Sequence, residues 1–392
     1  MCVPAAGSAY CANVTSDNQN CGACGTVCGV EQVCVESICV SSCQSFQTLC
    51  KLVNALDYCT NLMSDVSNCG SCGTSCLAGG FCVAGVCGCP ASYSACDTAC
   101  VDLSTDKLNC GSCGTTCTGT CARGACAVQL ATPPYPASPI ALDSSSVYYI
   151  DTADQLYALP KTGGKAKLLT SSASVASLAV DESYAYWPNG GEVDFVPTTG
   201  GGLTSTLMPS VDANEVVADG ISVYVAYDSG IVSFPSGGGT VSPLVANEDA
   251  PHSLAVQGSF LYWADDDYTV RSSGTDGTGL TTLVTMSSAV DFVVADSVNV
   301  YFTVSGSEIL AMPASGGSPP LLLVSGLVGV VRLATDGVNV YWIDSTTLSK
   351  VPVTGGAVTM LYMTGGDAAD IAVDEASVFW TNSGAVMKLT PK

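Results

Sequence analysis

ATDGVNVYWID, residues 334–344, decides the fold of most of this chain, because it recurs. The same pattern appears as ALDSSSVYYID (141–151), AVDESYAYWPN (179–189), VADGISVYVAY (217–227), AVQGSFLYWAD (255–265), VADSVNVYFTV (294–304) and AVDEASVFWTN (372–382). The marker position is Asp143, Asp181, Asp219, Gln257, Asp296, Asp336 and Asp374, at spacings of 38, 38, 38, 39, 40 and 38. A period of that size marks a propeller or a solenoid. Each unit reads as four short strands. An apolar strand enters a turn at the marker, a second strand carries an aromatic pair, a third ends in proline, and a glycine turn leads to a fourth. Helical periodicity is absent, so the units are β-propeller blades.

The expected fold is therefore all-β: a seven-bladed β-propeller preceded by three small disulfide-rich modules. The seventh unit ends at MKLTPK (387–392) with only three strands, and CAVQLA (126–131) has the fourth-strand pattern. Pairing those two segments closes the ring without an exposed sheet edge. The linker TPPYPASP (132–139), with four prolines, follows that strand.

All 23 cysteines precede residue 127. The motifs NCGACGTVC (20–28), NCGSCGTSC (68–76) and NCGSCGTTC (109–117) define modules at 1–40, 41–88 and 89–126, with the propeller at 127–392. The second and third modules have eight cysteines each and the first has seven, as if its opening position and a secretion signal lay upstream. Zinc needs about four thiolates or imidazoles per site, and the only histidine is His252. Units of this size bury little apolar surface and rely on covalent staples, so disulfides are expected, and with them an extracellular or cell-surface location. The recurrent Asn13/Asp17/Asn20, Asn61/Asp65/Asn68 and Asp102/Asp106/Asn109 read as turn caps. Calcium, which needs six or more oxygens, is the alternative. Asn13-Val14-Thr15 also fits a glycosylation sequon.

The D-x-x-N-C-G-x-C-G-x-x-C core resembles the cysteine-rich repeats of the stigma-specific protein family and related secreted bacterial and fungal modules. The second half resembles the YWTD repeats of the low-density-lipoprotein receptor family, most closely at LYWADDDYTVRSSGTDGTGLTTLV (261–284). That resemblance implies an extracellular protein-binding surface and no enzymatic activity.

Eleven Lys and Arg face 34 Asp and Glu, giving a net charge of −23. Such a chain is repelled by nucleic acid and by anionic membranes, and no apolar run is long enough to span a bilayer. The loops joining strands two and three carry Asp151, Asp154, Glu192, Asp228, Asp265, Asp266, Asp267, Glu308 and Asp344; those joining blades add Asp212, Glu248, Asp249 and Asp367. Both loop sets meet on one face, which is expected to be acidic and solvated. Four residues before the marker, the innermost strands vary: Pro139, Ser177, Glu215, Ser253, Phe292, Arg332 and Asp370. Variation within a regular scaffold is where a ligand mouth is written, although Arg332 and Asp370 would also suit a simple ion pair. The candidate ligand-binding residues are Glu215, His252, Arg332, Asp370, Asp265, Asp266, Asp267 and Asp344. His252 reads as a hydrogen-bonded loop residue more readily than as a base. The aromatic pairs and the marker Asp read as scaffold.

The expected function is a secreted or cell-surface binding or adhesion protein that recognises an extracellular protein or glycan and requires no cofactor. One alternative is a calcium-dependent propeller hydrolase or lyase. The other is a structural coat or fibre component that oligomerises through its cysteine-rich arms.

Overall fold

A computed structural model describes residues 13–29, 32–40, 43, 46–51, 58–174, 176–189, 191–207, 213–382 and 384–392. The chain divides into two compact units, 1–116 and 117–392. Cys2, Cys11 and Asp212 lie outside the described residues.

The first unit is built from two-stranded hairpins, among them Val33–Val35 with Ile38–Val40 and Phe81–Val83 with Val86–Gly88. Sulfur replaces a conventional core here: Cys21, Cys28 and Cys34 are buried together with Cys39 against them. The second module is stapled as Cys43–Cys59, Cys50–Cys72, Cys69–Cys82 and Cys76–Cys87. In order of cysteines that is first to third, second to fifth, fourth to seventh and sixth to eighth. Cys21–Cys34 and Cys28–Cys39 repeat the last two links in the first module. Cys89–Cys100 and Cys96–Cys113 repeat the first two in the third.

The metal-or-disulfide question raised by the CxxC spacing is thereby answered. The sulfurs of Cys21, Cys28 and Cys39, like those of Cys69, Cys76 and Cys87, lie within 4.8 Å of one another. They do so because two disulfides pack side by side, and a disulfide sulfur is not a thiolate donor.

The recurrent acids and amides build the knot. Asp65 accepts the Ser67 N–H (2.8 Å) and the Asn68 amide (2.8 Å), and Asn68 accepts the Gly73 N–H (2.8 Å). Asp17 with Asn20 and Asp106 with Asn109 do the same for Gly25 and Gly114. Hydrogen bonds hold the Asp17, Asp65 and Asp102 carboxyls below the usual range, those from Gln19, Thr60 and Ser104 contributing most. The motif's first glycine is required. At Gly70 (φ 75°) a Cβ would lie 2.5 Å from the Gly85 carbonyl oxygen.

Residues 117–392 form seven four-stranded antiparallel sheets arranged as blades, the last with a fifth strand. Blade 1 runs from Ala137–Leu142 through Ser146–Asp151 and Leu156–Pro160 to Lys167–Thr170. Blades 2 to 6 repeat that order, their innermost strands being Ala179–Val180, Ala213–Ala218, His252–Gln257, Val290–Ala295 and Arg332–Thr335. Blade 7 takes Asp370–Val373, Val378–Asn382 and Ala385–Thr390 from the C-terminus and Ala125–Ala131 from before blade 1, with Cys126 opposite Thr390. The ring thus closes through the segment expected from sequence. Thr120–Ala122 adds the fifth strand outside it. The closing strand is tied to the end of the third module by Cys117–Cys126.

Seven apolar clusters fill the seven spaces between neighbouring blades. The aromatic pairs supply both sides, because successive residues of a strand face opposite ways. Tyr148 packs toward blade 2 and Tyr149 toward blade 7. Trp187, Trp263, Trp342 and Trp380 are all fully buried.

The marker Asp has two tasks, only one of them expected. Asp296 Oδ1 accepts the Val298 and Asn299 N–H groups, both at 2.7 Å, while Oδ2 accepts the Tyr301 hydroxyl at 2.6 Å. Tyr148, Tyr186, Tyr224 and Tyr341 tie to Asp143, Asp181, Asp219 and Asp336 in the same way. The marker therefore fastens its turn to the first aromatic of the pair.

Candidate functional site

The seven irregular positions of the innermost strands, Pro139, Ser177, Glu215, Ser253, Phe292, Arg332 and Asp370, line one axial cavity of about 160 Å³. Their convergence has a backbone cause. In blades 1, 3, 4 and 5 the pairing of the innermost strand shifts register at this point. A bulge of that kind turns a side chain away from its regular direction. Ser253 sits in the shifted stretch of blade 4 at φ 51°.

No ladder joins one blade's innermost strand to the next, and these side chains bridge the gap. Ser177 Oγ accepts the Val216 N–H at 3.2 Å, Glu215 Oε2 that of Leu254 at 3.0 Å, and Ser253 Oγ that of Val293 at 2.7 Å. Asp370 Oδ2 accepts the Ile140 N–H at 2.9 Å, across the closing seam. In each case an oxygen of one blade takes the N–H just after the variable position of the next.

The remaining side chains set the charge. Arg332 Nε lies 3.5 Å from Asp370 Oδ1, and its guanidinium sits 5.1 Å from the Phe292 ring centre. The ion pair expected as the simpler reading is present. Burial pushes the Glu215 carboxyl up, opposed by the Leu254 N–H and the charges of Arg332 and His252. Burial also raises Asp370, with Arg332 opposing it.

The expected acidic face is divided. Asp228, Asp249, Asp266, Asp267 and Asp367 are exposed. Three contacts place loops beside the cavity-lining strands, two of them through exposed carboxylates. Asn214, next to Glu215, donates to Asp228 at 3.1 Å. His252, next to Ser253, has Nδ1 3.7 Å from Asp266. Asp291, next to Phe292, accepts the Gly306 N–H at 2.7 Å.

Asp265, Glu248 and Asp151, by contrast, are buried, which corrects their expected place on a solvated surface. Arg271 Nη1 lies 2.9 Å from Glu248 Oε2 and 3.7 Å from Asp265 Oδ2, and Trp263 donates to Glu248 at 3.2 Å. A cation on the third strand of blade 4 thus draws two loop carboxylates inward. Asp267 accepts the Thr269 hydroxyl at 2.6 Å. Asp344 caps its own turn, accepting the Thr346 and Thr347 N–H groups at 2.8 Å each, and these bonds hold its carboxyl low against the burial that would raise it.

His252 is engaged on both sides of its ring: Nδ1 lies 3.1 Å from the Ala250 carbonyl and Nε2 3.0 Å from that of Val290. The geometry brings Glu215, Arg332 and Asp370 together in the cavity, with His252 beside it. It leaves Asp266 and Asp267 at the rim and places Asp265 and Asp344 in structural roles.

Comparison with known proteins bears on the fold alone. No family model matches the chain, and no curated protein matches it in sequence. Among solved structures, it is similar to the WD40 β-propeller domain of Doa1 (TM-score 0.58, 10% identity, covering 68% of this chain and 96% of that one). It is also similar to virginiamycin B lyase from Staphylococcus aureus (0.57, 10%, 68% and 98%). A third is YCF48 bound to D1 peptide (0.54, 12%, 68% and 94%). For the resemblances noted in the sequence, the propeller fold is supported, and the stigma-specific family is not.

Proposed function

We propose that this chain is an extracellular, non-catalytic binding protein whose propeller recognises a basic surface of another protein at the mouth of its axial cavity. The observation that carries this reading is the convergence of all seven irregular inner-strand positions on one cavity, beside loops with exposed carboxylates. Field lines from such a rim favour cationic partners and speed their encounter. That charge suits lysine and arginine side chains better than a neutral glycan. YCF48, a propeller of similar fold, is bound to a peptide in its own structure. Extensive disulfide bonding supports an oxidising compartment. Among the described residues no helix is long and apolar enough to cross a membrane. The non-catalytic reading draws on His252, whose two ring nitrogens both face carbonyl oxygens.

A peptide array tests the proposal. Lysine- and arginine-rich peptides should retain the protein, acidic ones should not, and the signal should fall as ionic strength rises from about 0.05 to about 0.5 M. Replacing Asp228, Asp249, Asp266 and Asp267 together by Asn should weaken it several-fold. Equal retention by acidic and basic peptides would remove the basis for the proposal.

A further inference from the structure

We propose that the axial cavity is a socket for one primary ammonium group on a short alkyl stem, carried by a free amine or by a lysine of a partner, with Glu215 as the receiving carboxylate. This deepens the reading of the cavity mouth as the binding face and rests on it.

The argument starts from charge. Three ionisable side chains line the cavity: Glu215, Arg332 and Asp370. Arg332 is committed to Asp370 and to the face of Phe292. Glu215 is held by backbone N–H groups, that of Leu254 at 3.0 Å foremost, and no cation lies within 4.0 Å of it among the described residues. One negative charge is therefore left over in a confined space. A carboxylate partly shielded from bulk water without a cation is costly, and it favours either a proton or a positive ligand.

Size and lining narrow the ligand. A cavity of about 160 Å³ is close to one that accommodates benzene (about 150 Å³), which suits a butylammonium stem and is tight for anything much larger. Phe292 gives the stem apolar contact, and Ser253 adds a polar group to the same lining. The exposed rim acids draw a cation toward the mouth.

The chemistry also fixes the response to pH. Burial raises the Glu215 carboxyl, and only its ionised form pairs with an ammonium. An alkylammonium keeps its own charge to about pH 10. Affinity should therefore rise with pH from the acidic range toward neutrality. The charged and titratable groups facing Glu215 are Arg332, His252 and Asp370.

The test is a ligand-observed NMR titration of the full chain with n-butylammonium, 1-butanol and butyrate. Butylammonium should bind saturably and at least ten-fold more tightly than the other two. Glu215→Gln, which keeps an oxygen for the Leu254 N–H, should weaken it at least ten-fold. Glu375→Gln, on an exposed turn of blade 7, should leave it unchanged. Butyrate binding as well as butylammonium, or unaltered affinity in Glu215→Gln, would overturn the socket.

If Glu215→Gln does not fold, the parent protein decides. Displacement of butylammonium by acetyl-Gly-Lys-Gly-amide but not by its Nε-acetylated form supports the socket and identifies a partner's lysine as the source. Butylammonium binding that neither peptide displaces supports a free amine. Equal displacement by both peptides rejects the carboxylate–ammonium pairing. Peptide-array retention without butylammonium binding removes the socket and leaves the rim proposal standing, and the reverse result removes the rim alone.

Discussion

Glu248 and Asp265 share one guanidinium. The first comes from the loop joining blades 3 and 4, the second from the end of a blade 4 strand, and Arg271 Nη1 reaches both at 2.9 and 3.7 Å. Two buried carboxylates against one cation leave a proton's worth of negative charge. Desolvation, then the neighbouring Glu248, pushes the Asp265 carboxyl up to about 7. Its Oδ1 is buried and receives no hydrogen bond in the described structure, which leaves the ionised form poorly stabilised.

That pair makes stability depend on pH near neutrality. A carboxyl whose pKa is raised on folding stabilises the protein fully below its unfolded value, near 3.8, and loses that contribution as pH rises through about 7. The melting temperature should therefore rise by several degrees between pH 8 and pH 5.5, and Asp265→Asn should flatten that slope. Asp336, held at about 2 against its own burial by Lys392 and turn N–H groups, acts oppositely but only at far lower pH. A parent protein whose melting temperature is level or falling over that window would refute the assignment.

Arg271→Met should be among the most destabilising single changes in the propeller, because it leaves both carboxylates buried without a cation. A loss of about 3–5 kcal/mol is expected in denaturant unfolding. Combining it with Glu248→Gln and Asp265→Asn should restore much of that loss, since the charges then leave together. A single-variant loss under about 1 kcal/mol would show that the cluster is solvated in practice.

The tether from the marker Asp to tyrosine should be measurable blade by blade. Tyr301→Phe removes a hydroxyl bonded to Asp296 at 2.6 Å and should cost about 1.5–3 kcal/mol, the range for a hydrogen bond to a charged group. A double-mutant cycle with Asp296→Asn should show coupling between the two sites. In blade 7 the equivalent position is already Phe379, and Lys161 pairs with Asp374 at 2.9 Å instead. Additive losses in the cycle would mean that the two groups act independently.

The order of the disulfides makes a prediction for the first module. Cys50–Cys72, second to fifth, spans 22 residues, and the matching pair there is Cys2 with Cys24, also 22 apart. Cys11, third in order, then has no counterpart within this sequence. In a chain that starts at Met1, alkylation without reduction followed by peptide mapping should modify Cys11 alone. Label found chiefly at Cys2 would contradict the shared order.

Much of the fold could be read because its signal repeats. A fixed distance between marker and variable position, over seven units, means that one register argument serves every blade, and so all seven residues were placed on one cavity wall. Signals that occur once were hidden. Nothing in the repeat announces that Arg271 turns Glu248 and Asp265 inward, because a charged residue on a third strand looks like any solvated one. The Tyr301–Asp296 bond was missed for the opposite reason: both residues were in view, but each was given a complete role alone. A spacing of five between marker and tyrosine, kept in five blades, was the available clue. Disulfide order was out of reach, since eight cysteines permit 105 pairings and spacing does not choose among them.

The Arg123–Gly124 turn joins Thr120–Ala122 to the closing strand, and Cys117–Cys126 ties the same hairpin together. A ribosome produces this hairpin before any blade and the strands it must complete last of all. The ring therefore stays open until the strands of blade 7 emerge, with its own latch waiting at the start of the domain. In an oxidising compartment that latch is locked in shape before its partner emerges, so the final docking joins two prepared surfaces rather than two loose ends. The redox state of one cysteine pair thereby reaches the far terminus of the chain.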